Sequence, residues 1–215
     1  RPPHQIRQGV TSPLASPPPH QIRRGVEADH FGVAWQGTYA ATANLKGDTM
    51  GKFTVTHEIN CNAETFWKTF FDKDYNEQLF LRELHFPEFS ILEQKETETT
   101  ITRKVAGQPK MDLPGPVAKL LGSNFRFTED GTFTKATQLW RFKMTPSTMA
   151  DKLRQEGTMR IEPIGDSKVR RIAQLEMEAK IFGIGGLIES STEKQLRAGW
   201  DQSAVFMNRF LANQK

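Results

Sequence analysis

The stretch "AKIFGIGGLIES", residues 179–190, joins a run patterned as a strand to a run patterned as a helix through Gly183, Gly185 and Gly186. Strand, glycine turn and helix is also how nucleotide-phosphate loops are built. A dinucleotide fingerprint requires G-x-G-x-x-G, a second strand behind the helix and an acidic residue about 20 positions on. Here Ile188 stands at the third glycine position, and the 29 residues after Gly186 read as one helix with no strand behind it. The glycines therefore turn the last strand of a sheet sharply into a helix that folds back over that sheet. This closing helix, Leu187 to Ala212, carries Ile188, Leu196, Trp200, Ala204, Met207 and Phe210 or Leu211 at three- and four-residue steps. At ~1.5 Å per residue it spans ~39 Å. Gly199 lies inside it at a cost of ~1 kcal/mol relative to Ala, and reads as a point of close approach to the sheet.

Working back from the turn, alternation is legible from Lys52 onward. In "KFTVTHEIN", Phe53, Val55, His57 and Ile59 share one face, and Thr54, Thr56 and Glu58 the other, the pattern of a half-buried strand. Asn62 suits an N-cap, with Glu64 in the first turn. "AETFWKTFFD" (63–72) then reads as a short helix burying Phe66, Trp67, Phe70 and Phe71, and "YNEQLFLREL" (75–84) as a second. Six strand candidates follow, over 87–96, 98–107, 124–133, 137–146, 151–163 and 168–182. "LPGPVAKLLG" (113–122) reads as a helical turn opened by proline and closed by Gly122. "IGDSK" (164–168) has hairpin-turn chemistry. The turns are short, so the expected sheet is antiparallel. The class is α+β: a curved seven-stranded antiparallel sheet around a long C-terminal helix, with two short helices after the first strand.

Residues 1–49 differ. They repeat "PPHQIRQGV" (2–10) as "PPHQIRRGV" (18–26) and keep no apolar period. Such a segment buries too little surface to offset its ordering entropy. It reads as a disordered low-complexity tail, or as upstream sequence translated ahead of Met50, with the folded domain at 50–215. The net charge is +4, and Lys and Arg are interleaved with Glu rather than gathered on a stripe, which argues against a nucleic-acid partner. Cys61 is the only cysteine, so no intrachain disulfide forms. No apolar run reaches the ~20 residues of a membrane span, and the first residues lack the apolar core of a secretion signal. The expected location is the cytoplasm, with at most transient membrane contact.

Strand, two short helices, six strands and a long closing helix resembles the helix-grip fold of the START-like superfamily, which includes the birch-pollen-allergen-like proteins and polyketide cyclases. The resemblance covers essentially all of 51–213. It is carried by "FTVTHEINCNAETFWKTFFD" (53–72), "LPGPVAKLLG", "EGTMRIEPIGDSKVRRIAQLEMEAKIFGIGGLIE" (156–189) and the closing helix. The second and third together look most like an uncharacterised, largely bacterial family within it, known as a domain of unknown function. The superfamily hosts lipid carriers, hormone receptors, cyclases and chaperone regulators, so the fold alone does not select a function.

Parity on the strands makes the inner faces almost wholly apolar and rich in methionine, a side chain that adapts to variable apolar ligands. Phe127, Trp140, Phe142, Met159, Leu175 and Met177, with Trp200 and Met207 from the helix, are the expected ligand-lining residues. His57, Arg103, Glu129 and Arg171, along with Gln155, fall on the same faces; the first four are candidate polar contacts to a ligand. No catalytic constellation appears. His57 and His85 are far apart, Cys61 sits at a strand–helix junction, and no zinc spacing occurs. No metal or cofactor is implied. The expected function is binding or carriage of a small hydrophobic or amphipathic ligand, lipid- or polyketide-like, between sheet and helix. One alternative is a cyclase- or dehydratase-type enzyme using His57 and Glu129. The other is a protein-interaction domain with a filled core.

Overall fold

The computed structural model describes residues 51–111, 113–122 and 124–214. The tail read at 1–49 lies outside them. The element order is β1 (Gly51–Ile59), α1 (Ala63–Phe71), α2 (Lys73–Glu77), a π-helical stretch (Gln78–Glu83), β2 (Glu88–Glu96), β3 (Thr100–Gln108), α3 (Gly115–Leu121), β4 (Phe127–Thr134), β5 (Leu139–Pro146), β6 (Leu153–Pro163), β7 (Val169–Ala179) and α4 (Gly185–Ala212). The seven strands form one antiparallel sheet in the order β1-β7-β6-β5-β4-β3-β2. This is the expected α+β architecture. No helix among the described residues is long and apolar enough to cross a membrane.

Local chemistry explains the elements. Asn62 caps α1, its Oδ1 accepting from the Thr65 N–H at 2.8 Å. Asp72 caps α2 in the same way through Tyr75 N–H at 2.7 Å. Pro116 stands in the first turn of α3, and Gly122 closes it with φ +77°. At the opening stretch, Gly183 takes φ +81°, and the backbone of Gly185 comes so close to the Ala179 carbonyl that a Cβ would stand 2.4 Å from that oxygen. The glycines turn the chain and bring α4 onto the sheet.

The second short helix departs from expectation. Its C-terminal part is π-helical, with the Leu84 N–H donating to the Leu79 carbonyl at 2.8 Å. Such i→i+5 turns are rare and gather at functional sites. The apolar period reads the same through either helix, so this turn has no signature in the sequence.

The buried side chains of β1, β4, β5, β6 and β7 face α1 and α4. Aromatic rings dominate: Trp67 lies 4.2 Å from Phe133 between ring centroids, and Phe70 and Phe71 each approach Trp140 within 5.6 Å. Trp140 lies over Gly131 on the neighbouring strand, where a Cβ would stand 1.9 Å from its Cζ2. A second cluster joins Val117 and Leu121 of α3 to Phe125 and Ile188. Both edges of the sheet are modified. β2 has a register shift between Ile91 and Glu93. On β1, the carbonyls of Thr54 and Glu58 accept hydrogen bonds from Arg197 and Asn208 of α4.

Gly131→Ala forces the Trp140 indole out of place. The expected cost is about 1–3 kcal/mol, the usual range for overpacking a core, read as a lower urea midpoint with an unchanged slope. A midpoint within error of wild type would show that the Trp140 ring is free to move.

Candidate functional site

The sheet curves away from α4, which packs on β1 and β7. A cavity of about 470 Å³ remains between the inner faces of β3 to β7, the helical segment 70–84 and α4. This lies within the range of small-molecule sites. Its walls carry Phe127, Trp140, Phe142, Leu175 and Met177, expected from strand alternation, and Trp200 and Met207, expected from the helical period. Met159 is fully buried but stands outside the wall; its register against Trp140 and Ala173 places it in the filled core.

Three of the four polar candidates also line the cavity: Arg103, Glu129 and Arg171. Gln155 does so too. Arg171 on β7 is buried, with both terminal nitrogens engaged and its Nε without a partner among the described residues. Nη1 donates to Ser203 Oγ at 3.0 Å, and Nη2 donates to the Trp200 carbonyl at 2.8 Å and to His57 Nδ1 at 3.1 Å. The guanidinium also lies 4.8 Å from the Trp200 ring centroid. His57 does not reach the cavity wall. Its register partner is Arg171, and its Nε2 is 2.7 Å from Asp201 Oδ1. Arginine can only donate, so Nδ1 must accept and Nε2 must carry the proton. His57 is thereby held as the neutral Nε2–H tautomer. Burial lowers its pKa below 6.5, outweighing the hydrogen bond it donates to Asp201, which raises it.

Arg103 on β3 is buried under aromatic rings, its Cζ 4.5 Å from the Phe70 centroid and 5.2 Å from Trp140. Nη1 donates to the Phe70 carbonyl at 2.8 Å and, at 3.4 Å, to Asn76 Oδ1. Nε has no partner. Burial brings both Arg103 and Arg171 down to about 10, which leaves them charged at neutral pH. Glu129 on β4 makes no hydrogen bond or ion pair among the described residues, and the surface it keeps faces the cavity. Burial holds its carboxyl above the usual carboxylate range, against the pull of Arg103. Cys61 is buried and its thiol is pushed up to about 11, which leaves it protonated and unreactive. Among the described residues, no group of His, Cys, Asp and Glu could hold a metal.

Sequence reasoning missed Tyr75, Asn76, Leu79 and Phe80, which the helical segment turns into the cavity. It also gave Gly199 the wrong role. A Cβ at 199 would meet nothing within 4 Å, and the residue lines the cavity, so this glycine keeps space open rather than drawing α4 onto the sheet. Period alone cannot tell a close approach from a gap.

A curved antiparallel sheet closed by one long helix over a cavity is the helix-grip fold expected from the sequence. Within that class, residues 54–211 match the family described as "Protein of unknown function (DUF2505)", and the chain belongs to it. No curated relative matches the chain. Among solved structures it is similar to TTHA0849 from Thermus thermophilus, at 18% identity and TM-score 0.53, over 77% of this chain and 100% of that one. It is also similar to the Zhui aromatase/cyclase from Streptomyces sp. R1128, at 11% identity and TM-score 0.53, over 75% and 96%. A third is norcoclaurine synthase from Thalictrum flavum, at 13% identity and TM-score 0.51, over 77% and 90%. At these identities the likeness is one of fold.

His57 links folding to pH. Its folded pKa lies below the unfolded value of about 6.5, so the unfolded chain takes up the proton first. The stability it contributes is present above pH ~6.5 and is lost as the pH falls beneath it. His57→Gln keeps an acceptor for Arg171 and a donor for Asp201 but cannot titrate. The variant is expected to lose less of its urea midpoint than wild type between pH 7 and pH 5. Parallel profiles would refute the assignment.

Proposed function

We propose that this domain binds a small apolar or amphipathic ligand in the cavity between the sheet and α4. The observation that carries the reading is the cavity itself: about 470 Å³ of space in an otherwise close-packed core, walled by aromatic and methionine side chains. The space opens to solvent, and its largely apolar walls favour replacing the water there with an apolar molecule. Gly199 supports the same reading, because a helix former at this position would stabilise α4 and reduce the space. A ligand that buries ~300 Å² of apolar surface at ~25 cal/mol/Å² gains about 7 kcal/mol before the costs of association. Phe127, Trp140, Phe142, Leu175, Met177, Trp200 and Met207 are the contacts proposed for its apolar body. The norcoclaurine synthase of similar fold was solved with dopamine and hydroxybenzaldehyde, small aromatic molecules compatible in size with such a space.

The cavity weighs against the filled-core interaction domain. The cyclase-type reading asked for His57 and Glu129 in one site. His57 stands outside the cavity wall with both ring nitrogens engaged, so of that pair only Glu129 borders the cavity.

Native mass spectrometry of the full chain, purified gently, is expected to show a co-purifying small molecule that organic extraction removes. Gly199→Leu projects a side chain into the cavity and is expected to bind apolar probes at least tenfold more weakly, with its melting temperature kept or raised by the better helix former. Quenching of Trp140 and Trp200 fluorescence reads both proteins. A clean apo mass together with equal probe binding by wild type and Gly199→Leu would overturn the proposal.

A further inference from the structure

The cavity wall is mainly apolar, and at one corner three polar groups from different elements border the same space without bonding one another. Arg103 is 6% exposed, and only its Nη1 has acceptors among the described residues; Nε and Nη2 have none. Tyr75 is 2% exposed. Its ring packs 5.5 Å from Phe206 and 5.2 Å from Phe210, and its hydroxyl makes no hydrogen bond among the described residues. Glu129 sits two residues along β4 from Gly131, the register partner of Arg103, so the two side chains are diagonal neighbours on one face. They nonetheless form no ion pair within 4.0 Å.

This corner contrasts with the other buried arginine. Arg171 meets Ser203, Trp200 and His57 through both terminal nitrogens, and its Nε is the one nitrogen left unpaired among the described residues. A buried guanidinium that lacks acceptors is costly and is normally paired. Arg103 and Tyr75 both border the cavity.

Resting on the ligand-binding reading above, we infer that this corner is a subsite for the carboxylate of an amphipathic monocarboxylic acid, with Arg103 and the Tyr75 hydroxyl as donors and the apolar chain along the rest of the cavity. A carboxylate matches the planar fork of a guanidinium and accepts from a third donor as well. Two buried cations border the cavity, Arg103 and Arg171, each with an unpaired Nε; Glu129 is the acidic group beside Arg103, and once ionised it repels a dianion such as a phosphate monoester more than a monoanion. Glu129 sets a pH dependence. While protonated it can donate to the bound carboxylate; once ionised it competes for Arg103. Burial favours its protonated form, so acid binding weakens as the pH rises and this carboxyl ionises. Of the titratable groups that border the cavity near it, Arg103 and Arg171 stay cationic and the Tyr75 hydroxyl stays neutral, because burial raises its pKa above the ordinary value. Asp130, its neighbour on β4, points to the other face and pairs with Lys104 at 3.3 Å.

The test uses the full chain and matched twelve-carbon probes below their micelle concentrations: dodecanoic acid, dodecan-1-ol and dodecyl phosphate, followed by calorimetry. The acid is expected to bind at least tenfold more tightly than the alcohol and more tightly than the phosphate. Tyr75→Phe keeps the ring and should weaken the acid three- to tenfold while leaving the alcohol unchanged. Arg103→Met should abolish the preference altogether; if that variant does not fold, Tyr75→Phe and the pH series decide. Equal binding of acid and alcohol, unmoved by Tyr75→Phe, overturns the subsite but leaves the apolar cavity reading intact. Preference for the phosphate overturns the monocarboxylate assignment. No binding of any probe by wild type counts against both.

Discussion

The buried guanidinium of Arg171 fixes α4 to the sheet, and the rest of the architecture depends on that fixing. It grips the helix backbone at Trp200 and the side chain at Ser203, and through His57 it reaches Asp201. Because the grip is at β7, the helix packs on β1 and β7 and stands off from the middle of the sheet. Sheet curvature then separates the two, and the gap is the cavity. An apolar residue at 171 would add packing area, but it could not bond the helix backbone at one fixed turn. Buried charge of this kind secures register more readily than stability.

The two inward arginines divide the labour. One is spent on architecture, with both terminal nitrogens placed on protein atoms and its Nε left over. The other is stacked among Phe70, Phe71 and Trp140, which hold its plane while leaving two nitrogens bare. Residues of the same type, on the same face of the same sheet, thus differ only in what the neighbouring helices offer them. Asn76 and the end of α1 supply acceptors for one edge of Arg103 and none for the other.

Alternation made the strands, their antiparallel order and most of the cavity wall legible from the sequence. Parity on β5 and β7 identifies Trp140, Phe142, Leu175 and Met177 as inward. It also marks Arg103, Glu129 and Arg171, because an inward charge breaks a period-two pattern visibly. What parity cannot supply is depth. Met159 and Phe142 have the same signature, yet one is sealed under the core and the other borders open space. His57 looks like a pocket residue until the β1–β7 register shows that it stands beside Arg171, where α4 closes over it. Tyr75 and Asn76 were hidden because the π-helical turn that follows them has no periodic signature of its own. Gly199 was misread because the same letter serves contact and vacancy.

The modified sheet edges have a consequence for how the molecule keeps to itself. An open sheet presents two rows of backbone groups that can template another strand. Here β1 offers its carbonyls at Thr54 and Glu58 to side chains of α4, and the Asn60 N–H is held by Asn208. β2 is bent by its bulge and carries Glu88, Glu93, Lys95 and Glu96 along an exposed rim. Both rims are blunted, one by capture and one by charge and irregularity, so the fold can hold a hollow interior without offering a seam along which copies would polymerise.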